Sequence, residues 1–515
     1  MFKAQKDSLF TLVKSLNKAE KRNFKLYVNR LQNGGHRKFI QLFEALDKLG
    51  SYDEEAVLKK TGIEKKHLAN LKRNLYKQIL TSLRLIHINK NVDIQIREQV
   101  DFARILYGKG MYMQSLRILE RIKKIALEHH QDILHLEILE FQKMIETRHV
   151  TRNRNAGKIE ELLHLAERRS FVSHKTSQFS NLNIQIHGWY IQNGHATTAE
   201  KRKEILDYYD QHRPDRPVDR MTFHEIINFH QANMWLHYIL LDFERSKEAA
   251  LNWLNEFEKD KALMEKDPDL YMRGLYYLLT LLFFEENKED YDYYLRRFEF
   301  YIEMKEEDFN ENSHMIAFVY LYLARLNAYL VQKEYHQGLE LQPEIQEKIL
   351  EYKSLLEPNR ILLFNYKIAY CEFGIKDFDA CLGTLNEVVH HSDNILGSDL
   401  NYSARLLRIL CHYELGNYTL VDTLVTSAKR SFSQKERVTQ LQLKTLHLLG
   451  VLARKPKIEH QDMIAEFLLT NELLFSDPKE QRNLRFLDAK EWLEDKVTKS
   501  PITIEQTIVA QGAGS

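Results

Sequence analysis

A short pattern recurs through most of the chain. It consists of a polar turn, an aromatic residue, two further residues, a small or short apolar residue, and then apolar residues at helical spacing. Its clearest copies begin at Tyr112, Tyr335, Phe378 and Tyr418, and weaker copies lie near positions 196, 243 and 290. From position 243 onward the copies are 40 to 47 residues apart. Such a period predicts supersecondary units that bury their apolar faces against their neighbours.

The supply of turn residues indicates which secondary structure fills these units. The chain has 515 residues but only 18 Gly and 8 Pro. A protein built of sheets needs turn residues every roughly 8–12 positions. Because this chain cannot supply them, the sequence predicts an all-α fold.

The pattern resembles the start of the second helix of tetratricopeptide (TPR) repeats, in which a small residue lets two helices of a hairpin pack closely. The copies at Phe378 and Tyr418 continue with apolar residues on one helix face, namely Cys381, Leu385 and Val388 in one and Val421, Val425 and Ala428 in the other. The chain is also similar to TPR-like cytoplasmic proteins of Bacteroidota. The resemblance covers about residues 95–455 and implies an α-solenoid, a right-handed superhelix of helical hairpins, but no activity. The period exceeds the 34 residues of TPR units and the Trp-x-x-Leu-Gly signature is absent, so an irregular helical bundle remains the alternative.

The pattern also suggests a division into four segments. We expect a basic helical head at 1–90, TPR-like repeats at 91–455, capping helices at 456–499 and a tail at 500–515. The last capping helix is expected at 483–496, where it would cover the final repeat.

The head is predicted to contain several helices with helix-turn-helix-like geometry. Capping boxes are expected at Asn17 with Glu20 and at Ser51 with Glu54, and a long helix is expected at 64–87. A short helix, a glycine turn and a longer helix are the parts of a helix-turn-helix unit.

The head is also basic. Residues 1–100 contain 21 Lys and Arg against 10 Asp and Glu, a net charge of about +11. The long helix presents side chains able to neutralise phosphates or to reach bases, which are Lys65, Lys66, Asn70, Arg73 and Lys77. Three interpretations stay open for the head: binding to nucleic acid or ribosome, docking on a protein, or simply capping the repeats.

Tyrosines are concentrated in an acidic middle segment. Residues 241–310 contain 10 basic and 19 acidic residues. The candidate partner groove consists of Tyr276, Tyr277, Tyr291, Tyr293 and Tyr294. An acidic, tyrosine-rich groove would favour a basic ligand, whereas the alternative is that these rings pack in the core.

Motifs that carry chemistry are missing from the sequence. It contains no Gly-rich phosphate loop and no Gly-x-Ser-x-Gly elbow, and His224-Glu225 lacks the second histidine of a zinc-protease helix. Cys371, Cys381 and Cys411 cannot form a disulfide framework, and Cys371 and Cys381 are expected to be buried. The sequence therefore predicts no enzyme, no cofactor, no metal site and no small-molecule substrate.

The sequence also gives expectations about the location of the protein and about its partners. The longest apolar stretch, 275–284, is too short to cross a bilayer, and the N-terminus lacks the apolar part of a secretory signal. We therefore expect a cytoplasmic protein without a membrane span. The leading hypothesis is a non-enzymatic scaffold or adaptor that binds a partner protein along a superhelix. The alternative is a factor that associates with nucleic acid or ribosome through its basic head.

Overall fold

Helices are the only regular secondary structure among the described residues. A computed structural model describes residues 7–30, 36–88, 91–149, 156–285, 287–353, 355–391, 398–432, 438–477, 480 and 487–498. No strand or bridge occurs in these ranges. The all-α prediction is therefore confirmed for this part of the chain. The predicted tail at 500–515 lies outside it.

The chain divides into two compact units, residues 1–175 and 176–515, and the division falls within helix α9. The predicted boundary between 90 and 91 lies inside the first unit. The helices that begin in this unit are α1 Ser8–Ser15, α2 Lys18–Arg30, α3 His36–Asp47, α4 Glu54–Thr61, α5 Lys65–His87, α6 Val92–Gly108, α7 Tyr112–Glu128, α8 Asp132–His149 and α9 Ala156–Asn193.

Helices α1 to α5 share a hydrophobic core of their own. Phe24 and Phe43 lie at its centre with ring centroids 4.8 Å apart, and Leu75 of α5 is fully buried among them. A second core cluster, with Ile96 and Ile138 among its members, joins α6, α7 and α8. The sequence therefore builds the first unit from two successive hydrophobic clusters.

Capping contacts determine where two head helices begin. The predicted box at α2 is confirmed, because Glu20 N–H donates to Asn17 Oδ1 (2.9 Å) and Asn17 N–H donates to Glu20 Oε2 (3.0 Å). The predicted box at Ser51 is wrong. Asp53 caps α4 instead, and its carboxylate accepts from the N–H groups of the residues two and three positions on. A carboxylate at this position satisfies two orphan donors and is favoured by the helix dipole.

The second unit continues with helices of five to 22 residues. They are α10 Ala199–His212, α11 Phe223–Ile239, α12 Phe243–Lys259, α13 Ala262–Lys266, α14 Pro268–Glu285, α15 Lys288–Lys305, α16 Glu311–Gln332, α17 Tyr335–Glu340, α18 Gln342–Glu351, α19 Pro358–Gly374, α20 Phe378–His391, α21 Ser398–Glu414, α22 Tyr418–Phe432, α23 Gln440–Leu452, α24 His460–Thr470, α25 Glu472–Ser476 and α26 Ala489–Thr498. Short 3-10 helices lie at Val218–Arg220, Glu306–Asp308 and Lys457–Glu459.

Within the described ranges the same turn joins two helices at six places. A residue with φ between 54° and 76° ends the first helix, and it is followed by one residue and then by the next helix. In each turn the N–H of this residue bonds to the carbonyl three positions before it. The next N–H bonds to the carbonyl five positions before itself. These paired bonds satisfy the last carbonyls of the helix and reverse the chain. The residues with positive φ are Gly110, His130, Leu241, Lys333, Lys376 and Gly416.

The aromatic residue of the sequence pattern is the first residue of the helix after five of these turns, whereas the turn at His130 leads into α8 at Asp132. The five helices are α7, α12, α17, α20 and α22. The residue three positions later is buried against the preceding helix. Ser115 Oγ donates to the Ala103 carbonyl (2.8 Å), and Ser246 Oγ donates to the Met234 carbonyl (2.9 Å). A small side chain at this position therefore sets how closely the two helices approach.

Gly338 occupies this position in α17, where a larger side chain has no room. A Cβ atom added there would lie 2.8 Å from Cys371 Sγ of α19. Gly338→Ala is expected to lower the free energy of unfolding by about 1–3 kcal/mol, because the neighbour must shift. In a Cys371→Ala background the cost should be smaller, which urea unfolding of all four combinations measures as a coupling energy.

Gly383→Ala is the control, because no atom lies within 4 Å of its added Cβ. This substitution in α20 is expected to be neutral or stabilising, since alanine favours helix. An equal loss of stability in the Gly338→Ala protein with and without Cys371 would contradict the steric explanation.

Helix α16 is the one described helix whose length and composition would suffice to cross a bilayer. Its most apolar 18-residue window is 56% buried within the protein. Core helices of globular proteins share this property, because they are apolar on most sides. The absence of a membrane span therefore stays a prediction.

The last described helix, α26, packs on α24 and reaches much earlier residues. Trp492 Nε1 donates to Glu414 Oε1 (2.6 Å), and the Asp488 N–H donates to Tyr370 Oη (3.1 Å). Lys333 Nζ lies 2.5 Å from Glu491 Oε1. The described helix begins at Ala489, and residues 487 and 488 before it are not helical. Residues 483–486 of the predicted helix lie outside the described ranges. Its contacts extend beyond the final helices that it was expected to cover.

Candidate functional site

Five aromatic side chains from four helices form a continuous row in the second unit. We call His187, Trp235, Tyr277, Tyr276 and Tyr320 the aromatic row. His187 stacks on Trp235 (centroids 4.2 Å apart, 20° between planes), and Trp235 lies 5.5 Å from Tyr277. Tyr277 lies 5.8 Å from Tyr276, which stacks on Tyr320 at 4.4 Å and 10°. The row thus runs from α9 across α11 and α14 to α16.

The amphipathic pattern of α14 places two tyrosines on its accessible side. Arg273, Tyr276, Tyr277, Thr280 and Phe284 follow each other at spacings of one to four residues and retain solvent exposure. The other side of the helix is buried in the main core of the unit through Leu275, Leu278, Leu279 and Leu282. This division follows from the helical period, because side chains three and four residues apart share one face.

Two arginines lie beside the aromatic row. The Arg360 guanidinium of α19 lies over Tyr276 (5.8 Å to the centroid) and Tyr320 (5.6 Å). Arg273 is exposed and interacts electrostatically with His187 and Tyr277. Within the described ranges, neither arginine has a carboxylate at ion-pair distance. Cation–π contact holds Arg360 in place without neutralising it.

The side chains of His187 and Tyr277 are uncharged at neutral pH. Burial lowers the pKa of His187, and the nearby Arg273 lowers it further, so this imidazole stays neutral. Burial raises the pKa of Tyr277 to about 12. The formal charge at the row is therefore supplied by the two arginines.

The structure separates the five tyrosines that the sequence grouped as a partner groove. Tyr276 and Tyr277 belong to the aromatic row. Tyr291 is only 3% exposed, and its hydroxyl donates to the Ala324 carbonyl (2.7 Å) in the core. Tyr293 is 57% exposed on α15 and lies edge-to-face with the half-buried Tyr294, 5.0 Å away. The sequence did not predict the other three members of the row, which are His187, Trp235 and Tyr320, or the two arginines beside it.

The five polar residues proposed for binding a polyanion are exposed on α5. Lys65 Nζ lies 3.6 Å from Glu54, and Lys66 Nζ lies 2.8 Å from Glu64. Arg73 Nη2 donates to Asn70 Oδ1 (2.8 Å), and Lys77 follows one turn later. Residues 66, 70, 73 and 77 lie on one stripe of the helix by their spacing. The Arg73 and Lys77 side chains have no carboxylate partner in the described part of the head.

A lysine is buried inside the second unit, on the face of α19 that also carries Arg360. The Lys367 amine donates to Asn327 Oδ1 and lies 5.3 Å from the centre of the Phe283 ring. Burial lowers the pKa of Lys367 to about 8. The amine is thus mostly charged at neutral pH, although its one described hydrogen-bond partner is neutral.

A cleft of about 420 Å³ lies between α7, α8 and the start of α9 in the first unit. Its ionisable side chains include Glu120, Lys123 and His149. Burial acts to raise the pKa of Glu120, but hydrogen bonds from Lys123 and Gln142 lower it overall. A carboxylate held ionised in this way is a poor general acid.

Metal ligands are not grouped in the described ranges. No set of three or more His, Cys, Asp or Glu side chains there is arranged to hold an ion. All three cysteines are free thiols and are buried, as was predicted for Cys371 and Cys381.

Replacing the buried amine is expected to change how stability depends on pH. The pKa of Lys367 is about 8 in the folded protein and near its ordinary value of 10.5 in the unfolded chain. Between these values the unfolded chain binds more protons, so stability rises as pH increases from 8 to 10.5. Lys367→Met should therefore be more stable by up to about 3 kcal/mol at pH 7, and the difference should shrink towards pH 10.

Urea unfolding at pH 7, 8, 9 and 10 measures this difference. Lys203→Met, at an exposed position of α10, is the control and should leave the pH profile unchanged. A constant difference between the Lys367→Met protein and the wild type at all four pH values would contradict the lowered pKa.

Comparison with known proteins gives no family for this chain. No protein-family model matches it, and no curated protein matches it.

Proposed function

We propose that this chain is a TPR-like α-solenoid that acts as a non-enzymatic scaffold for a partner protein. In this proposal the helical hairpins stack into a right-handed superhelix over 91–455, between a basic head at 1–90 and capping helices at 456–499. Five identical helix-reversing turns, each followed by a helix with an aromatic first residue, support stacked hairpins. Repeated hairpins of this kind create extended binding surfaces.

The aromatic row is the observation that carries the proposal. It crosses four helices and places Tyr276 and Trp235, both half-buried, where one bound segment can contact several hairpins. Tyrosine and tryptophan give large contact areas for little loss of side-chain entropy, and with arginine they dominate binding energy at interfaces.

The chemistry of the described residues supports a binding role. The candidate groups do not combine into a site where a nucleophile, a base and a charge-stabilising donor converge on one cleft, which is what catalysis requires. We therefore propose that the protein is not an enzyme and acts without a cofactor. Three buried thiols that remain unpaired support a reducing compartment, and we propose the cytoplasm.

Partner capture in the native cell tests the scaffold proposal. Tagged full-length protein is purified from its own cells with and without nuclease, and co-purifying proteins are identified by mass spectrometry. Tyr276→Ala should reduce recovery of a specific partner at least tenfold, because it removes one of the two rings that α14 contributes to the row. Tyr293→Ala is the matched control and should retain the partner, since this exposed tyrosine lies outside the row.

The helix content and melting temperature of both variants are measured by circular dichroism, so that loss of folding is recognised. Equal recovery by the two tyrosine variants, or recovery that disappears after nuclease treatment, would contradict partner binding through the row.

A second function, association with nucleic acid or ribosome, is favoured by the stripe on α5. Arg73 and Lys77 are exposed and have no carboxylate partner in the described head, so their charges are available to phosphates. Asn70 lies between Lys66 and Arg73 on the same stripe. The helix-turn-helix-like order of α4, Gly62 and α5 supports this use of the head.

If the head binds nucleic acid, the affinity of the protein for a 20-base-pair RNA or DNA duplex should fall steeply as the salt concentration rises. Arg73→Glu with Lys77→Glu should then weaken binding at least tenfold and reduce the salt slope by about 2. Lys18→Glu with Arg22→Glu on α2 has the same charge change and is the control. Binding that is absent at low salt, or equally weakened by both pairs, would contradict a specific role for α5.

A further inference from the structure

The charge next to the aromatic row differs from the charge of the segment that surrounds it. Six of the 19 acidic residues of 241–310 form ion pairs in the described ranges. Four of these pairs join different helices, namely Glu258 with Arg297 (2.5 Å), Glu265 with Lys305 (2.7 Å), Glu285 with Lys247 (2.6 Å) and Glu299 with Arg325 (2.8 Å). The charge beside the row is therefore set by the side chains that lie there and not by the net charge of the sequence segment.

The arginines at the row retain their positive charge. Asp267, at the start of α14, interacts electrostatically with Arg273 but does not form an ion pair with it. Asp269 accepts from Asn312 Nδ2 (2.7 Å). Glu357 is near Arg360 but does not form an ion pair with it. The exposed guanidinium of Arg273 and the half-buried guanidinium of Arg360, beside neutral rings, are suited to bind carboxylates.

Helix α26 packs at the other end of the face of α19 that carries Arg360. Arg360, Lys367 and Tyr370 lie on this face, spaced seven and three residues apart, and Lys367 between the two ends is buried. At the Tyr370 end, the hydroxyl accepts from the Asp488 N–H, and Glu491 of α26 pairs with Lys333 at 2.5 Å. Glu414 accepts there from Trp492 and Lys496 of α26. At the other end, the Arg360 guanidinium lies over Tyr276 and Tyr320.

The rings of the row are poorly arranged for stacking nucleic-acid bases. Tyr276 and Tyr320 stack on each other, and Arg360 lies over both. Trp235 is stacked with His187 and lies 5.3 Å from Tyr190. Binding of single strands depends on open aromatic faces, which these contacts occupy. The observations therefore favour a polypeptide over RNA.

We propose that the aromatic row binds an acidic segment of a partner polypeptide, whose carboxylates pair with Arg273 and Arg360. An apolar or aromatic side chain of the same segment packs against the edges of Tyr276 and Tyr277. This inference rests on the proposed scaffold function and names its ligand. The net charge of the sequence segment suggested a basic ligand, and this inference replaces it with an acidic one.

A display library of random 12-residue peptides, selected on the immobilised full-length protein, tests the inference. Selected peptides should be enriched in Asp and Glu next to an aromatic residue. A fluorescein-labelled copy of the most enriched peptide should bind the wild type and lose at least tenfold in affinity with Arg273→Glu. Arg296→Glu, on the exposed side of α15, is the matched control and should bind like the wild type.

Arg273 is the first choice for substitution because it is exposed, so its replacement should leave folding intact. Arg360→Gln is the second variant and should weaken the same peptide. Circular dichroism and thermal unfolding are measured for each variant, and only variants with the wild-type helix content and melting temperature are compared.

The outcomes separate this inference from the scaffold proposal. Enrichment of basic or neutral peptides that depend on Tyr276 would overturn the acidic ligand and leave the scaffold proposal standing. Acidic peptides with unchanged affinity for the Arg273→Glu and Arg360→Gln proteins would also overturn it. Tighter binding of a 20-residue poly-uridine that depends on Arg273 would replace the polypeptide with RNA. No enriched peptide, together with no cellular partner, would overturn both proposals.

Discussion

The close approach of two helices after a left-handed turn is the contact on which the hairpins depend. One residue with positive φ ends the first helix and lets two crossed hydrogen bonds reverse the chain. A small side chain then meets the preceding helix within its first turn, as Ser115 and Ser246 do through hydrogen bonds to carbonyls. Gly338 holds the same position in α17, and a methyl group there would also contact Cys371 of α19. A larger residue at this position would separate the helices and open the core.

Close packing of successive helices also explains how the aromatic row arises. Each helix buries its leucine-rich side in a shared core, so the polar and aromatic side of α14 stays accessible. Neighbouring helices then bring Trp235 and Tyr320 to the two tyrosines of α14. Arg360 is held over the rings and not by a carboxylate, so its charge remains available. The same packing encloses Lys367, and burial lowers the pKa of its amine.

Helix starts were predicted correctly where a side chain of one type meets a local requirement, such as capping free N–H groups. Asn17 and Glu20 cap α2 because their side chains match two orphan N–H groups, and the aromatic residues of the pattern mark the first residues of five helices. At α4 the prediction chose Ser51 as the cap, although Asp53 is closer to the first turn and its charge suits the helix dipole. The tyrosine groove combined two helices whose tyrosines have different surroundings, because a sequence cluster does not specify which helix face each residue occupies.

The sequence by itself determined the helical class and the positions of the hairpin turns, because both depend on residues within a few positions of each other. Only the tertiary structure decided which rings adjoin and which charges remain unpaired. His187, Trp235 and Tyr320 are separated by 48 and 85 positions along the chain, yet they belong to one row. Carboxylates of the acidic segment around Tyr276, such as Glu258 and Glu285, pair with Arg297 and Lys247 and not with the arginines of the row. Which charges form pairs depends on distances across the folded core. These distances cannot be obtained by counting charges along the sequence.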